Sequence, residues 1–348
     1  MLNPVALSTL VATARTLAVG GVGAALAVWL SLPAPFLTGP ALAVTLAALA
    51  GLRMTMPARM RDAVFLVIGA NMGASVTPEA LATAAQWPGS LALLALSITV
   101  ILLGGAKVMQ RAAGMDPMSA LLTATPGHLS FVLSLTTDHR ADLPRVTLIQ
   151  SFRVLALTLM VPALAPLLTD RALPTLPASP HVMPVPALAV VLVAGLAVAV
   201  LFKRLRVPAA TLLAGMAVSA LAHALSLTEG RAPTWAAAPA FTAMGALIGT
   251  RFSGVTPRML LQSITAAGLL TGFALLVSFL GALVVAWWFD LPLVTALIAF
   301  APGGIESMIA MAVLLEANPT FVAAHHVWRL VFLTVLLPWA VTRITRAT

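Results

Sequence analysis

Runs of Leu, Val, Ala and Ile long enough to cross a bilayer recur from end to end of this 348-residue chain, with polar residues gathered into short intervals between them. Leu91–Met109 and Leu269–Phe289 are two such runs; about 20 mostly apolar residues suffice for a transmembrane helix. Each half of the chain offers five apolar spans. Each also offers a sixth segment that begins as a helix and is interrupted: "ATPGHLSF" at Ala124 to Phe131 and "FAPGGIESM" at Phe300 to Met308. Pro and Gly are the poorest helix formers, and small polar residues follow them directly. Non-helical backbone is tolerated at membrane depth only where protein buries it or where it lines a watery cavity. The pattern therefore predicts an all-α polytopic membrane protein whose polar centre lies at the two breaks.

The interrupted segments belong to an internal repeat. A shift of 176 residues lays Pro126–Leu164 on Pro302–Ala340 without a gap, and Pro126/Pro302, Gly127/Gly303, Ala141/Ala317, Val146/Val322, Arg153/Arg329, Leu157/Leu333, Thr158/Thr334 and Pro162/Pro338 coincide. Weaker echoes pair "LPAPFLTG" at Leu32–Gly39 with "VPAATLLAG" at Val207–Gly215, and "IGANMGASVTP" at Ile68–Pro78 with "IGTRFSGVTP" at Ile248–Pro257. The chain thus divides into halves at 1–175 and 180–348, joined by the Pro-rich stretch Asp170–Pro186.

Composition agrees with a lipid environment. Apolar residues make up 61% of the chain and charged ones 8%, against about 25% charged in a soluble chain, and the mean hydropathy is +1.05. No soluble domain of useful size fits. The absence of cysteine excludes disulfides, iron–sulfur clusters and thiolate metal sites. A net charge of +9 invites a nucleic-acid reading, but the basic residues stand singly between apolar runs, as in short cytoplasmic loops. The first thirty residues lack a basic leader and a cleavage site, and Arg15 interrupts their apolar run, so they read as a retained first span.

Charge placement also decides how the breaks cross the membrane. If both are re-entrant and the N-terminus is inside, Arg15, Arg53, Arg59, Arg61, Lys107, Arg111, Arg140, Arg145, Lys203, Arg204, Arg206, Arg251, Arg258, Arg343 and Arg346 fall on the cytoplasmic side, with only Arg171 and Arg231 outside, a split of 15 to 2. If both breaks cross fully, the split is 10 to 7. The expected architecture is therefore two inverted-topology repeats, each of about five transmembrane helices plus one re-entrant or broken Pro-Gly helix, with both termini cytoplasmic. Trp29, Trp87, Trp235, Trp287 and Trp288 gather at the predicted outer ends, as an aromatic belt would. Apolar faces beyond the two bundles suit a homodimer.

The candidate site is built from the breaks and the residues near them. Half-helix ends in an inverted pair point partial charges at a shared gap, N-termini favouring anions and C-termini cations. Arg153 and Arg329 lie in the middle of apolar spans, where an arginine faces the bundle interior with a partner. Two readings are open: the pair binds an anionic solute bidentately, or the arginines are structural, each bonding exposed carbonyls of its hairpin or Arg329 pairing with Glu306. Glu306 is the one acid placed in the membrane core, and either couples to H⁺ or Na⁺ or neutralises Arg329. With these go Thr125, Pro126, Gly127, His128, Ser130, Pro302, Gly303, Gly304 and Ser307 as substrate-binding candidates, and Asn71, Gln150, Arg251, His325 and His326 as cavity-lining ones. His325 and His326 adjoin and point about 100° apart on a helix, a poor metal pair. Hydrogen-bonded bundle positions are the alternative for His128, His325 and His326, and inter-helix contact is the alternative for Asn71. No metal site and no cofactor are expected.

The motifs "TPGHLS" and "APGGIES", each followed about 25 residues later by an arginine in an apolar span, resemble the AbrB family of duplicated bacterial inner-membrane proteins over roughly 10–341. The family pattern reads approximately T-P-G-G-L-S-E-M in each copy. Thr125, Pro126, Gly127, Leu129 and Ser130 match it in the first half, and Pro302, Gly303, Gly304, Ile305 and Met308 match or nearly match in the second. His128 replaces the second Gly, Phe131 and Val132 replace Glu and Met, and the acid of the second copy sits at Glu306 with Ser307 after it. The resemblance implies labels of gene-expression regulator or ammonia monooxygenase, and an architecture like that of transporters. The leading expectation is a secondary transporter, not an enzyme, for a small organic anion or amino-acid-like solute. A membrane-embedded regulator acting indirectly on gene expression is the alternative, and a metallo-oxygenase ranks last because six dispersed histidines and one core acid offer no converging ligand set.

Overall fold

A computed structural model describes residues 4–74, 87–127, 132, 135–136, 141–168 and 181–347. The described residues form thirteen α-helices and no named strand. Ten occupy the predicted spans: α1 Pro4–Trp29, α2 Pro35–Leu49, α3 Ala58–Gly73, α4 Trp87–Ala113, α6 Leu143–Leu168, α7 Val185–Arg204, α8 Ala210–Ala224, α9 Thr234–Thr250, α10 Pro257–Phe289 and α13 Pro319–Ala347. The other three, α5 Pro117–Ala124, α11 Leu293–Phe300 and α12 Ile305–Leu314, belong to the Pro-Gly segments.

Length separates two kinds of helix. Among the described residues α1, α4, α6, α7, α10 and α13 are long and apolar enough to cross a membrane. By contrast α2 and α8 have 15 residues each, about 22 Å of helix at 1.5 Å per residue, short of a hydrocarbon core of about 30 Å. Ten spans were expected; six reach full length. The cause is local: α2 is entered through a left-handed Ala34 (φ 49°) and α8 through a left-handed Ala209 (φ 49°), each after a proline. A left-handed turn in an L-residue is costly, and both alanines occupy the N-cap of their helix.

Two compact units emerge, and they do not follow the sequence halves. Unit 1 comprises Met1–Ala82, Thr158–Gly254 and Ile309–Thr320; unit 2 comprises Thr83–Leu157, Val255–Met308 and Phe321–Thr348. Each half contributes to both. Within unit 1, α3 packs on α8 and α2 on α9. A Cβ on Gly69 would strike the carbonyl of Leu212, and one on Gly39 the carbonyl of Gly23; such backbone approach is how helices associate where no hydrophobic force drives them together. Unit 2 has a core of Leu102, Met109, Leu121, Val146, Ile149, Leu270 and Leu337, drawn from α4, α5, α6, α10 and α13.

Large apolar side chains also point outward, among them Val193 at 72%, Leu261 at 72% and Val335 at 72% exposure. In water this would be an aggregating surface; with the long apolar helices it identifies a polytopic membrane protein. Trp29, Trp235, Trp287 and Trp288 are exposed close to helix ends.

Candidate functional site

Both breaks begin with an eight-residue helix that stops at a proline. In the first, Asp116 caps α5 by accepting a hydrogen bond from the Ser119 N–H at 2.9 Å, and Pro117 occupies the first turn, where its missing N–H costs nothing. The helix ends at Thr125, whose ψ of 118° is extended, as the residue before a proline prefers. Gly127 then takes φ +81°, the left-handed region that favours glycine. In the second, α11 ends at Ala301 with ψ 130°, followed by Pro302 and by Gly303, whose N–H bonds to Ala301 O at 2.8 Å. Stopping a helix this way leaves the carbonyls of its last turn without intrahelical donors.

Side chains 28 residues further along the chain supply the missing donors. Gln150 Nε2 donates to Leu122 O at 2.8 Å and Arg153 Nη2 donates to Thr125 O at 3.0 Å. In the second break His326 Nε2 meets Ile298 O at 2.9 Å and Arg329 Nη1 donates to Ala301 O at 2.7 Å. Each partner maps onto its counterpart by the 176-residue shift. Arg329 goes further: its Nη2 donates to Gly303 O at 2.7 Å and to His326 Nδ1 at 2.6 Å. A guanidinium only donates, so His326 Nδ1 accepts and Nε2 carries the proton given to Ile298. The imidazole is thereby locked as one neutral tautomer.

The two arginines are each 1% exposed. Among the described residues neither forms an ion pair; the recorded pairs join Asp62 to Arg61 and to Lys203 in unit 1. Arg329 is within electrostatic reach of both Arg153 and Glu306, and of the two structural alternatives the carbonyl bonds form while a direct Arg329–Glu306 bridge is not among the recorded pairs. Nε and Nη1 of Arg153 and Nε of Arg329 are buried without a hydrogen-bond partner among the described residues. A buried cation with unpaired N–H groups is expensive. The Arg329 guanidinium lies against Gly127, where a Cβ would come within 3.2 Å of Nε and of Nη2. The second arginine therefore touches both breaks.

The candidates fall into four groups. Thr125, Pro126, Gly127, Gln150, Arg153, Pro302, Gly303, Ser307, His326 and Arg329 are buried together with the breaks of unit 2, while Gly304 and Glu306 are half-buried in the first turn of α12. His128 and Ser130 lie outside the described residues. Asn71 and Arg251 belong to unit 1: Asn71 Oδ1 accepts from Ala232 N at 3.2 Å, an inter-element tie, and Arg251 is the C-cap of α9, at the end of its span. His325 takes no part in the carbonyl network; its ring meets Ser90 and Phe321 O. The motif reading passes over the carbonyls of Leu122 and Ile298 and the equivalence of Gln150 with His326. The last was legible, since the shift that pairs the arginines also pairs these two residues. Among the described residues no three His, Asp or Glu side chains converge as metal ligands. A cleft of about 390 Å³ in unit 2, lined by Asp142, Arg145, Gln262 and Ser263 among others, includes none of the candidates.

Comparison with known proteins gives these features a context. Residues 36–345 match the family described as "Transition state regulatory protein AbrB". The chain is 28% identical over 295 residues to "Uncharacterized protein YhjN" of Bacillus subtilis (strain 168), covering 78% of this chain and 75% of that one. It is 26% identical over 312 residues to "Putative regulator AbrB" of Escherichia coli (strain K12), covering 86% of each. No solved structure matches.

Proposed function

We propose, on the premise that this chain belongs to the AbrB family, that it is a secondary transporter of a small organic anion or amino-acid-like solute. The site is the gap between the two Pro-Gly breaks, and the observation that carries the reading is Arg153. Its guanidinium is buried, spends one N–H on Thr125 O and a long 3.4 Å contact on Gln150 Oε1, and among the described residues keeps Nε and Nη1 unpaired. A carboxylate is the group that fits such a fork. The N-terminus of α12, whose first turn holds Glu306 and Ser307, opens from the second break, and a helix N-terminus suits an anion.

In this reading the halves are inverted repeats, the breaks enter from opposite faces, and both termini are cytoplasmic in the plasma membrane. The charge split supports it. Arg329, bonded to Ala301, Gly303 and His326 through Nη1 and Nη2, holds the geometry, and Arg153 binds the solute.

The test uses purified protein and a panel of acetate, lactate, succinate and glutamate. At least one raises the melting temperature in a concentration-dependent way and enters reconstituted vesicles, and Arg153→Gln removes both effects. A panel that neither stabilises the protein nor enters vesicles overturns the transporter reading. Uptake surviving Arg153→Gln overturns the anion site.

The names of the relatives favour a second reading, a membrane-embedded regulator acting indirectly on gene expression. A variant that binds a carboxylate without moving it keeps the regulatory effect if the protein is a sensor, and loses it if the effect follows from transport.

A further inference from the structure

The cleft of about 390 Å³ in unit 2 belongs to neither break, and its volume is that of a small-molecule pocket. It opens where two long helices begin. Asp142 and Arg145 come from the start of α6, Gln262 and Ser263 from the second turn of α10, and Leu148 and Met259 add apolar surface. Both helices are long and apolar enough to cross a membrane. The 33 residues of α10 extend about 50 Å, well beyond a hydrocarbon core of about 30 Å. With Arg258 in its first turn and Trp287 and Trp288 exposed near its other end, such a helix sets its start among lipid headgroups.

Two opposite charges line this cleft and stay apart. Asp142 Oδ1 accepts the Arg145 N–H at 3.1 Å, capping α6, and the Asp142 N–H donates to Ser119 Oγ at 2.9 Å. The Arg145 side chain is tied by Nη2 to Ala113 O at 2.9 Å. The ion pairs among the described residues lie at Asp62, so this carboxylate and guanidinium do not neutralise each other. Ser263 is an independent sign. It is 6% exposed, and its hydroxyl has no hydrogen-bond partner among the described residues. A serine or threonine in an apolar helix can bond back to the carbonyl four residues earlier, as Ser97 and Thr99 of α4 and Thr147 of α6 do. Ser263 leaves that bond unmade and lines the cleft instead.

We propose that the cleft binds a compact zwitterion, the phosphate and primary ammonium of an aminophospholipid headgroup. The ammonium brings three N–H donors, and Asp142 Oδ2, which the cap does not use, accepts from it. The phosphate matches the Arg145 guanidinium, and Ser263 and Gln262 add hydrogen bonds. A glycerol headgroup lacks the cation, and a choline cation has no N–H to give. A free zwitterionic solute shares this chemistry, but the depth of the helix starts favours the lipid. The assignment is independent of the transporter reading.

The experiment measures lipid binding to purified full-length protein by native mass spectrometry, using phosphatidylethanolamine, phosphatidylcholine and phosphatidylglycerol of equal chain length. Wild type binds the ethanolamine lipid about tenfold more tightly than either of the others. Asp142→Asn keeps the helix cap, since Asn serves there as well as Asp, and brings the ethanolamine lipid down to the level of the glycerol one. Arg145→Gln weakens all three lipids alike, and Ser263→Ala weakens the ethanolamine lipid about threefold. Glycerophosphoethanolamine, the headgroup without its chains, separates the two sources. Displacing the lipid only in large excess, it supports the lipid site; bound as tightly as the lipid, it supports the zwitterion site and overturns the lipid as occupant. Equal binding of the three lipids to wild type, or a preference that survives Asp142→Asn, overturns the site, whether or not carboxylates reach Arg153.

Discussion

At the first break Gln150 and Arg153 reach back to Leu122 and Thr125; at the second His326 and Arg329 reach back to Ile298 and Ala301. The backbone problem is the same in both, a helix stopped by proline with its last carbonyls unpaired, and the donors come from the same place. The finish differs. Arg329 divides Nη1 and Nη2 between two carbonyls and an imidazole at 2.6–2.7 Å and leaves Nε unpaired, whereas Arg153 makes one bond to a carbonyl and, among the described residues, leaves both Nε and Nη1 unpaired. The same frame stands at both breaks, and the guanidinium is more fully bonded at the second than at the first. A buried unsatisfied donor costs about 1–3 kcal/mol, and in a stable protein such a cost marks a place kept for something else.

Replacing the arginines separates the two roles most sharply. Arg329→Gln strands Ala301 O and Gly303 O and is expected to cost roughly 3 kcal/mol or more. Arg153→Gln strands only Thr125 O and is expected to cost about 1 kcal/mol. Denaturant unfolding in detergent compares them directly, and equal losses would erase the distinction.

A smaller effect tests the frame itself. His326→Gln places in the second break the residue that the first already uses, an amide able to donate to Ile298 O and accept from Arg329. It should change stability by under about 1 kcal/mol, whereas His326→Leu, which can do neither, should cost about 2 kcal/mol. Comparable losses from Gln and Leu would show that the two frames are not interchangeable.

The smallest expected effect lies at the helix starts. Asp116 caps α5, while α11 begins at Pro292 with no side-chain cap. Partial burial alone would raise the Asp116 carboxyl, but hydrogen bonds from Ser119 outweigh it and hold it below the ordinary carboxylate range. Its contribution is thus complete above the ordinary carboxylate value and is lost as pH falls through the lowered one. Asp116→Ala is expected to cost about 0.5–1 kcal/mol at neutral pH, with the difference from wild type shrinking in acid. A loss that stays constant into acid would remove the cap from the account.

Much of the frame was legible because membrane burial restricts what a sequence can contain. In a chain this apolar, Pro126–Gly127 and Pro302–Gly303 stand out as breaks and Arg153 and Arg329 as costly, since each violates what lipid tolerates. The carbonyl partners were not legible, because a backbone oxygen has no letter of its own and becomes an acceptor only when its helix stops. The lengths of α2 and α8 were hidden for a similar reason. Nothing in their apolar composition announces that Ala34 and Ala209 turn left-handed.

By itself the sequence determined the solvent, the positions of the helices and the residues that had to be explained, all of which depend on local composition and spacing. Only the tertiary structure decided that the halves interleave into two units, that Arg329 spends Nη1 and Nη2 on three partners while Arg153 reaches Thr125 O and Gln150 through Nη2 alone, and that His325 meets Ser90 and Phe321. Those facts depend on donors and acceptors, most of them well apart in the chain, meeting at hydrogen-bond distance, and that meeting is set by packing.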